Sequence, residues 1–180
     1  MIKFNIASIN RCTEMEGPYK RLTIWFQGCN IDCRGCCNPN YQPIVPKYIF
    51  ALDKLIEIIA QSQEEFGIEG VTYSGGEPTL QQNLPALTQK IKELGLGVIS
   101  FTGRKYEDVA DILSGCDLVL DGAYKQDNPE KERRLLGSTN QRILFLTDRY
   151  KNAGRWFKST GVKAVEVHVG NTILANGDVI

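Results

Sequence analysis

The chain has one histidine, His168, and nothing approaching about 18 consecutive apolar residues, the length a membrane-spanning helix needs. It also carries no net charge, with 21 Lys plus Arg against 21 Asp plus Glu. That balance argues against a general binder of nucleic acid or membrane surfaces. Internal repeats, low-complexity tracts and linker-like stretches are missing too. The first residues, MIKFNIASINRC, hold no signal-peptide core, so a cytoplasmic location is expected. What remains is an ordinary globular composition over 180 residues, and a single domain spanning 1–180 is expected.

Cysteine, in contrast, is concentrated. FQGCNIDCRGCCNPN, residues 26 to 40, holds four of the six cysteines. Cys29, Cys33 and Cys36 are spaced C-x3-C-x2-C, and Cys37 follows directly. In a reducing cytosol such a cluster points to metal binding or redox chemistry before structural disulfides. Adjacent Cys36 and Cys37 cannot bridge each other without severe strain. Three thiolates can hold three irons of a four-iron cluster and leave the fourth iron open to another ligand. The weaker alternative is zinc, held by three cysteines and a fourth ligand. Cys37 suits that role poorly, because its side chain points away from that of Cys36 in most backbone conformations. His168 is far away in sequence. The other thiols, Cys12 and Cys116, are scattered, so one cluster is expected and not two.

Strand and helix signals alternate. RLTIWFQGC reads as a buried strand entering the cysteine loop. Leu52, Leu55, Ile56 and Ile59 give a helix over 50–66, with Gly67 as its stop. IEGVTYSGGEP is a strand ending in a glycine turn, and Leu84, Leu87, Ile91 and Leu94 mark the next helix. GVISFTG is a third strand, 105–114 a helix, CDLVLDG a fourth strand, QRILFLTDRY a fifth and VKAVEVHV a sixth. ILANGDVI resembles a small hairpin turning at Asn176-Gly177. Residues 124 to 141 read as a functional loop, with at most one helical turn. The class is therefore α/β with mainly parallel strands. A closed eight-unit barrel takes about 250 residues, so an open, partial barrel of five or six βα units is expected, incomplete relative to a TIM barrel. The cysteine loop follows its first strand.

The C-x3-C-x2-C loop resembles that of the radical S-adenosylmethionine superfamily, and SGGEP, residues 74 to 78, resembles the turn that receives the methionyl amino group there. GPYKRLTIWFQGC, GCCNP, SFTGR, DLVLDGAY and LLGSTNQRI, over roughly residues 17 to 146, are similar to the activating proteins of anaerobic ribonucleoside-triphosphate reductase. The resemblance implies one [4Fe-4S] cluster on Cys29, Cys33 and Cys36, with S-adenosylmethionine on its open iron. It places the cofactor near Gly35, Cys36, the backbone of Cys37, and the turn Gly75, Gly76 and Glu77, whose carboxylate would offset an ammonium. Thr102, with Gly103, would line the same pocket. Asp121 has two readings: a cofactor contact near a monovalent cation, as in related activases, or a cap or solvated strand end.

No catalytic side chain beyond the cluster ligands is expected. A one-electron donor such as flavodoxin or ferredoxin would supply the electron, and a glycyl-radical enzyme would receive the radical. The reductase large subunit is the expected partner, with neither nucleic acid nor membrane involved. Two alternatives stay open: activation of a pyruvate formate-lyase-like enzyme or modification of another peptide, and a zinc- or cluster-binding interaction module without catalysis. SGGEP argues against the module, which needs no second glycine turn. Ser138, Asn140 and Gln141 belong to the most family-specific match, and their role is open between cofactor and partner contact. Asn38 reads as a turn former, Arg133 and Arg134 as binders of a carboxylate or, the preferred reading, solvated charge, His168 as a core or edge residue, and Trp25 as packing.

Overall fold

The computed structural model describes residues 1–158, 165–169 and 173–177. One seven-stranded sheet dominates it, in the order β3-β1-β2-β4-β5-β6-β7. The strands are β1 (Lys3–Thr13), β2 (Arg21–Phe26), β3 (Tyr48–Ala51), β4 (Gly70–Gly75), β5 (Gly97–Thr102), β6 (Leu118–Asp121) and β7 (Arg142–Phe145). β2, β4, β5 and β6 are mutually parallel, and every residue of β2 and β6 is buried. Burial on both faces is what makes such strands read as continuous apolar runs.

Helices α1 (Leu52–Phe66) and α2 (Leu84–Glu93) return the chain between parallel strands. α1 buries Leu55 and Ile59, and α2 buries Leu84, Leu87 and Ile91, against Leu22, Ile24, Val71, Tyr73, Val98 and Val119 of the sheet. Gly67 ends α1 as expected, in the left-handed conformation at φ 65°, with its N–H on the Gln63 carbonyl. The third crossover is shorter than the sequence suggests. Helix α3 covers only Tyr106–Val109, and turns follow as far as Gly115.

The fold is mixed α/β with a parallel-rich sheet, and it differs from five or six parallel units at three points. Residues 3–13, to which the sequence pattern gives no element, form the longest of these strands. It runs antiparallel to β2 and β3, with register shifts at Ile6/Ser8 and Asn10/Thr13. The expected fifth strand, β7, runs antiparallel to β6. A parallel strand needs a crossover to the opposite edge, whereas residues 122–141 contain no helix and return from the edge where β6 ends. The expected sixth strand, β8 (Val165–Val169), pairs with β9 (Ile173–Gly177) in a separate two-stranded sheet. Asn176 and Gly177 do not turn there; they lie in β9 opposite Glu166 and Val165, and His168 lies opposite Leu174.

The parallel strands place all their carboxyl ends at one edge, the side where sites are built in such sheets. Their amino ends are closed by a buried polar network. The Arg21 guanidinium, fully buried, donates to Thr72 Oγ1 (2.7 Å), the Val71 carbonyl (2.9 Å), Tyr150 Oη (2.8 Å) and Glu69 Oε2 (3.1 Å). Tyr150 Oη in turn donates to Glu69 Oε2 at 2.7 Å.

Candidate functional site

The chain leaves β2 at Gln27 and enters the cysteine loop under constraint. Gly28 N–H donates to the Tyr41 carbonyl (2.8 Å) and Cys29 N–H to the Gln42 carbonyl (2.9 Å), so both ends of the loop are tied together. Gly35 takes φ 75°, and Cys36 N–H donates to the Cys33 carbonyl at 3.2 Å. Cys29, Cys33 and Cys36 are half-buried, and Cys37 is exposed.

Two sulfurs of the triad accept a backbone N–H from another residue: Cys29 from Ile31 (3.5 Å) and Cys36 from Asn38 (3.4 Å). Burial pushes the Cys29 and Cys33 thiols up, and nearby Glu77 and Cys36 add to the rise. Ligation demands the thiolate, so binding a cation there would release protons. Among the described residues, no three His, Cys, Asp or Glu side chains gather around one metal-ion position. Backbone N–H groups aimed at sulfur are a normal part of iron–sulfur sites.

The glycine turn after β4 is bonded directly to the cysteine loop. Gly76 N–H donates to the Phe26 carbonyl (2.9 Å), and Glu77 N–H to the Gly28 carbonyl (2.9 Å). Asn38 Nδ2 reaches the Gly75 carbonyl at 3.4 Å, so Asn38 bridges loop and turn. Gly75 has φ 104°, and a Cβ on it would lie 2.4 Å from Phe26 N. A Cβ on Gly76 would lie 2.2 Å from the Gly28 carbonyl oxygen. The close approach these glycines permit is therefore between two stretches of the protein's own backbone.

Glu77 lies in the same turn. It is 1% exposed and already holds four protein donors. Oε1 accepts from Thr79 N (3.1 Å), Thr79 Oγ1 (2.6 Å) and Thr102 Oγ1 (2.8 Å), while Oε2 accepts from Gly103 N (2.8 Å). Its carboxylate braces the ends of β4 and β5. Thr102 is brought to the turn by that brace, and its hydroxyl also accepts from Arg104 N at 3.1 Å.

Asp121 ends β6 beside the start of α3. It is fully buried; Oδ2 accepts from Tyr106 N (2.8 Å) at the start of α3, and Oδ1 accepts from Arg142 Nε (2.9 Å). Arg142 also bonds Asp121 Oδ2 and reaches Glu107 Oε2 at 2.8 Å. The carboxylate is thus committed to holding α3 and β7 on β6.

Several residues that matter here carried no stated role in the sequence reading. Arg104 spans the site: Nε donates to Thr79 Oγ1 (3.1 Å) and Nη2 to Asn30 Oδ1 (2.8 Å) in the cysteine loop. Its presence in SFTGR was the available signal, but a motif does not say what an arginine reaches. Arg133 and Arg134 prove to be internal contacts. Arg133 Nε bonds Glu130 Oε2 at 2.6 Å, and Arg134 stacks on the Trp156 ring at 3.9 Å.

Fold and loop together define the class: an α/β protein with an iron–sulfur type of cysteine loop at the carboxyl edge of a parallel-rich sheet. Residues 15–144 match the family described as 4Fe-4S single cluster domain, and the chain belongs to that family. It is 28% identical over 155 residues to the anaerobic ribonucleoside-triphosphate reductase-activating protein of Enterobacteria phage T4, covering 80% of this chain and 96% of that one. It is 30% identical over 158 residues to the pyruvate formate-lyase-activating enzyme of Staphylococcus epidermidis, covering 80% of this chain and 62% of that one. A putative glycyl-radical enzyme activating enzyme of Methanocaldococcus jannaschii matches at 27% over 125 residues, with 69% and 47% covered. The chain thus spans nearly all of the phage protein and roughly half to three-fifths of the other two. Among solved structures, QueE from Escherichia coli aligns with TM-score 0.48 and 19% identity over 57% of this chain and 54% of that one. The resemblance read from the motifs, and the expectation of an enzyme, are borne out by these relatives. Among the described residues no helix is long and apolar enough to cross a membrane.

Proposed function

We propose that the chain is a radical S-adenosylmethionine enzyme that generates a glycyl radical on a partner, most specifically on the anaerobic ribonucleoside-triphosphate reductase. The observation that carries this is the bonded unit of cysteine loop and glycine turn, in which three thiols and the Gly75–Glu77 backbone share one edge of the sheet. In this reading Cys29, Cys33 and Cys36 would hold one [4Fe-4S] cluster, and the Gly35–Cys37 backbone and the Gly75–Gly76 turn would hold S-adenosylmethionine. When bound, cluster and cofactor supply the electron transfer and carbon–sulfur cleavage that yield methionine and a 5′-deoxyadenosyl radical, which takes hydrogen from a glycine of the partner.

The chain's own residues do the positioning. Glu77 locks Thr79, Thr102 and Gly103 into one arrangement, and Arg104 carries that order to Asn30. Held that way, loop and turn need not reorganise when a cofactor arrives, which is the benefit of preorganisation. The parallel strands form an open partial barrel within a single domain, leaving the reactive edge accessible to a protein loop. A flavodoxin or ferredoxin in the cytoplasm is the matching electron donor.

The reductase is preferred over a pyruvate formate-lyase-like partner because GSTNQ, residues 137 to 141, is the motif most specific to the reductase-activating family that the sequence resembles. The test is anaerobic. Reduced, iron-loaded protein is mixed with S-adenosylmethionine and a candidate reductase, and electron paramagnetic resonance is recorded. A glycyl doublet is expected with the reductase and absent with Cys33→Ala. A doublet on a formate-lyase-type enzyme alone moves the proposal to the second partner, and none on either refutes it.

A further inference from the structure

Residues 125–128 form a turn whose two ends are both bonded to the motif GSTNQ, residues 137 to 141. Asn128 N–H donates to the Lys125 carbonyl (3.0 Å) and closes the turn. At its entry Lys125 N–H donates to Ser138 Oγ (3.0 Å), and Ser138 is fully buried. At its exit the Asn128 carbonyl accepts from Thr139 N–H (2.8 Å). The approach to the turn is held as well. Gln141 Nε2 donates to the Gly122 carbonyl (3.0 Å) and Asn140 Nδ2 to the Ala123 carbonyl (2.9 Å).

The motif is itself fixed from behind. Gln141 Oε1 accepts from Gly137 N (2.9 Å) and Ser138 N (3.0 Å). The Arg133 guanidinium donates to the carbonyls of Thr139 (3.0 Å) and Gln141 (2.9 Å). Ser138, Asn140 and Gln141 are thus engaged with the protein's own backbone. What the turn presents is Gln126, at its second position. The Gln126 carboxamide lies over Gly35 in the cysteine loop, its carbon 3.1 Å and its oxygen 3.3 Å from where a Cβ would sit. Gly35 is the left-handed residue, at φ 75°, of the turn that Cys36 N–H closes on the Cys33 carbonyl.

We propose that GSTNQ positions Gln126 as a cover on Gly35, and that this contact keeps Cys33 and Cys36 at a fixed spacing, ready for iron. The proposal rests on the reading of these two cysteines as cluster ligands. Glycine has the widest conformational freedom of any residue. A side chain laid across it restricts that freedom before a ligand arrives, as preorganisation requires. The cover is steric, so the length of side chain 126 matters and its amide does not.

Hydrogen exchange on the iron-free protein tests the contact without any cluster. Gln126→Ala, a change at an exposed position, should speed exchange of the Cys36 amide several-fold. Asn140→Ala, also exposed, should speed it by up to about tenfold, the limit for the loss of one hydrogen bond. The Gly28 amide, bonded to Tyr41 at the other end of the loop, should not change in either. Gln126→Met, of equal length, should restore slow exchange. An unchanged Cys36 amide in Gln126→Ala overturns the cover, and one unchanged only in Asn140→Ala overturns the motif's hold on it. Equal acceleration at Gly28 marks general loosening and overturns both. Exchange that stays fast in Gln126→Met overturns the steric account. Cluster assembly from iron and sulfide, followed by absorbance, should slow several-fold in both Ala variants and recover in Gln126→Met. Faster exchange with unslowed assembly overturns the role in receiving iron. If the unaltered protein assembles no four-iron cluster, the proposed function fails and that role with it, while the exchange result still decides the contact.

Discussion

Gly76 has no space for a side chain on the protein side, since a Cβ would sit 2.2 Å from the Gly28 carbonyl oxygen and 2.8 Å from that of Tyr41. Both atoms belong to the ends of the cysteine loop, and neither is the tip of a flexible side chain. Gly76→Ala should therefore damage the loop first. A loss of about 1–3 kcal/mol is expected from overpacking, together with reduced iron uptake, read by urea unfolding and by iron analysis after reconstitution. Iron content equal to that of the unaltered protein would mean that the turn does not hold the loop in register. At this scale the sequence was most informative where chemistry is written as spacing: Cys29, Cys33 and Cys36 announce themselves by position. The roles of Glu77, Asp121 and Arg104 depend on which groups approach through space. A buried carboxylate with four donors and one facing a ligand look the same in a sequence.

Among the elements, β2, β4, β5 and β6 were legible because both of their faces are covered, which leaves unbroken apolar runs. β1 was not, because its apolar residues are interrupted by polar ones and its register shifts twice. The direction of β7 depends on where the preceding loop ends, and a strand pattern has no direction. The strands' amino ends carry the clearest energetic prediction. Arg21 is fully buried, while Glu69 keeps some exposure at 28%. Glu69→Ala removes its ionic partner and should destabilise by about 3 kcal/mol, the low end for a broken buried pair. The exposed Lys54–Glu57 pair, at 2.8 Å, is the control; its removal should cost about 0.5 kcal/mol or less. Denaturant midpoints of the two variants decide it, and similar midpoints would deny the network its role in joining β2, β4 and the Tyr150 segment.

For the whole molecule, the cysteine loop is held by the protein itself: Gly28 to Tyr41, Cys29 to Gln42, Glu77 to Gly28 and Arg104 to Asn30. Small domains whose metal supplies their folding energy collapse when it is chelated. This chain has a separate apolar core between sheet and helices, and none of those ties runs through a cysteine sulfur. Protein stripped of iron by oxygen and chelator should keep its far-ultraviolet circular dichroism. Its melting temperature should move by less than about 4 °C, the shift that about 1 kcal/mol makes in a chain of this size. Loss of the dichroism on stripping would contradict this. If the scaffold outlasts its cluster as expected, exposure to air is a recoverable injury: iron, sulfide and a reductant for the oxidised thiols would refill the chain, with no new synthesis.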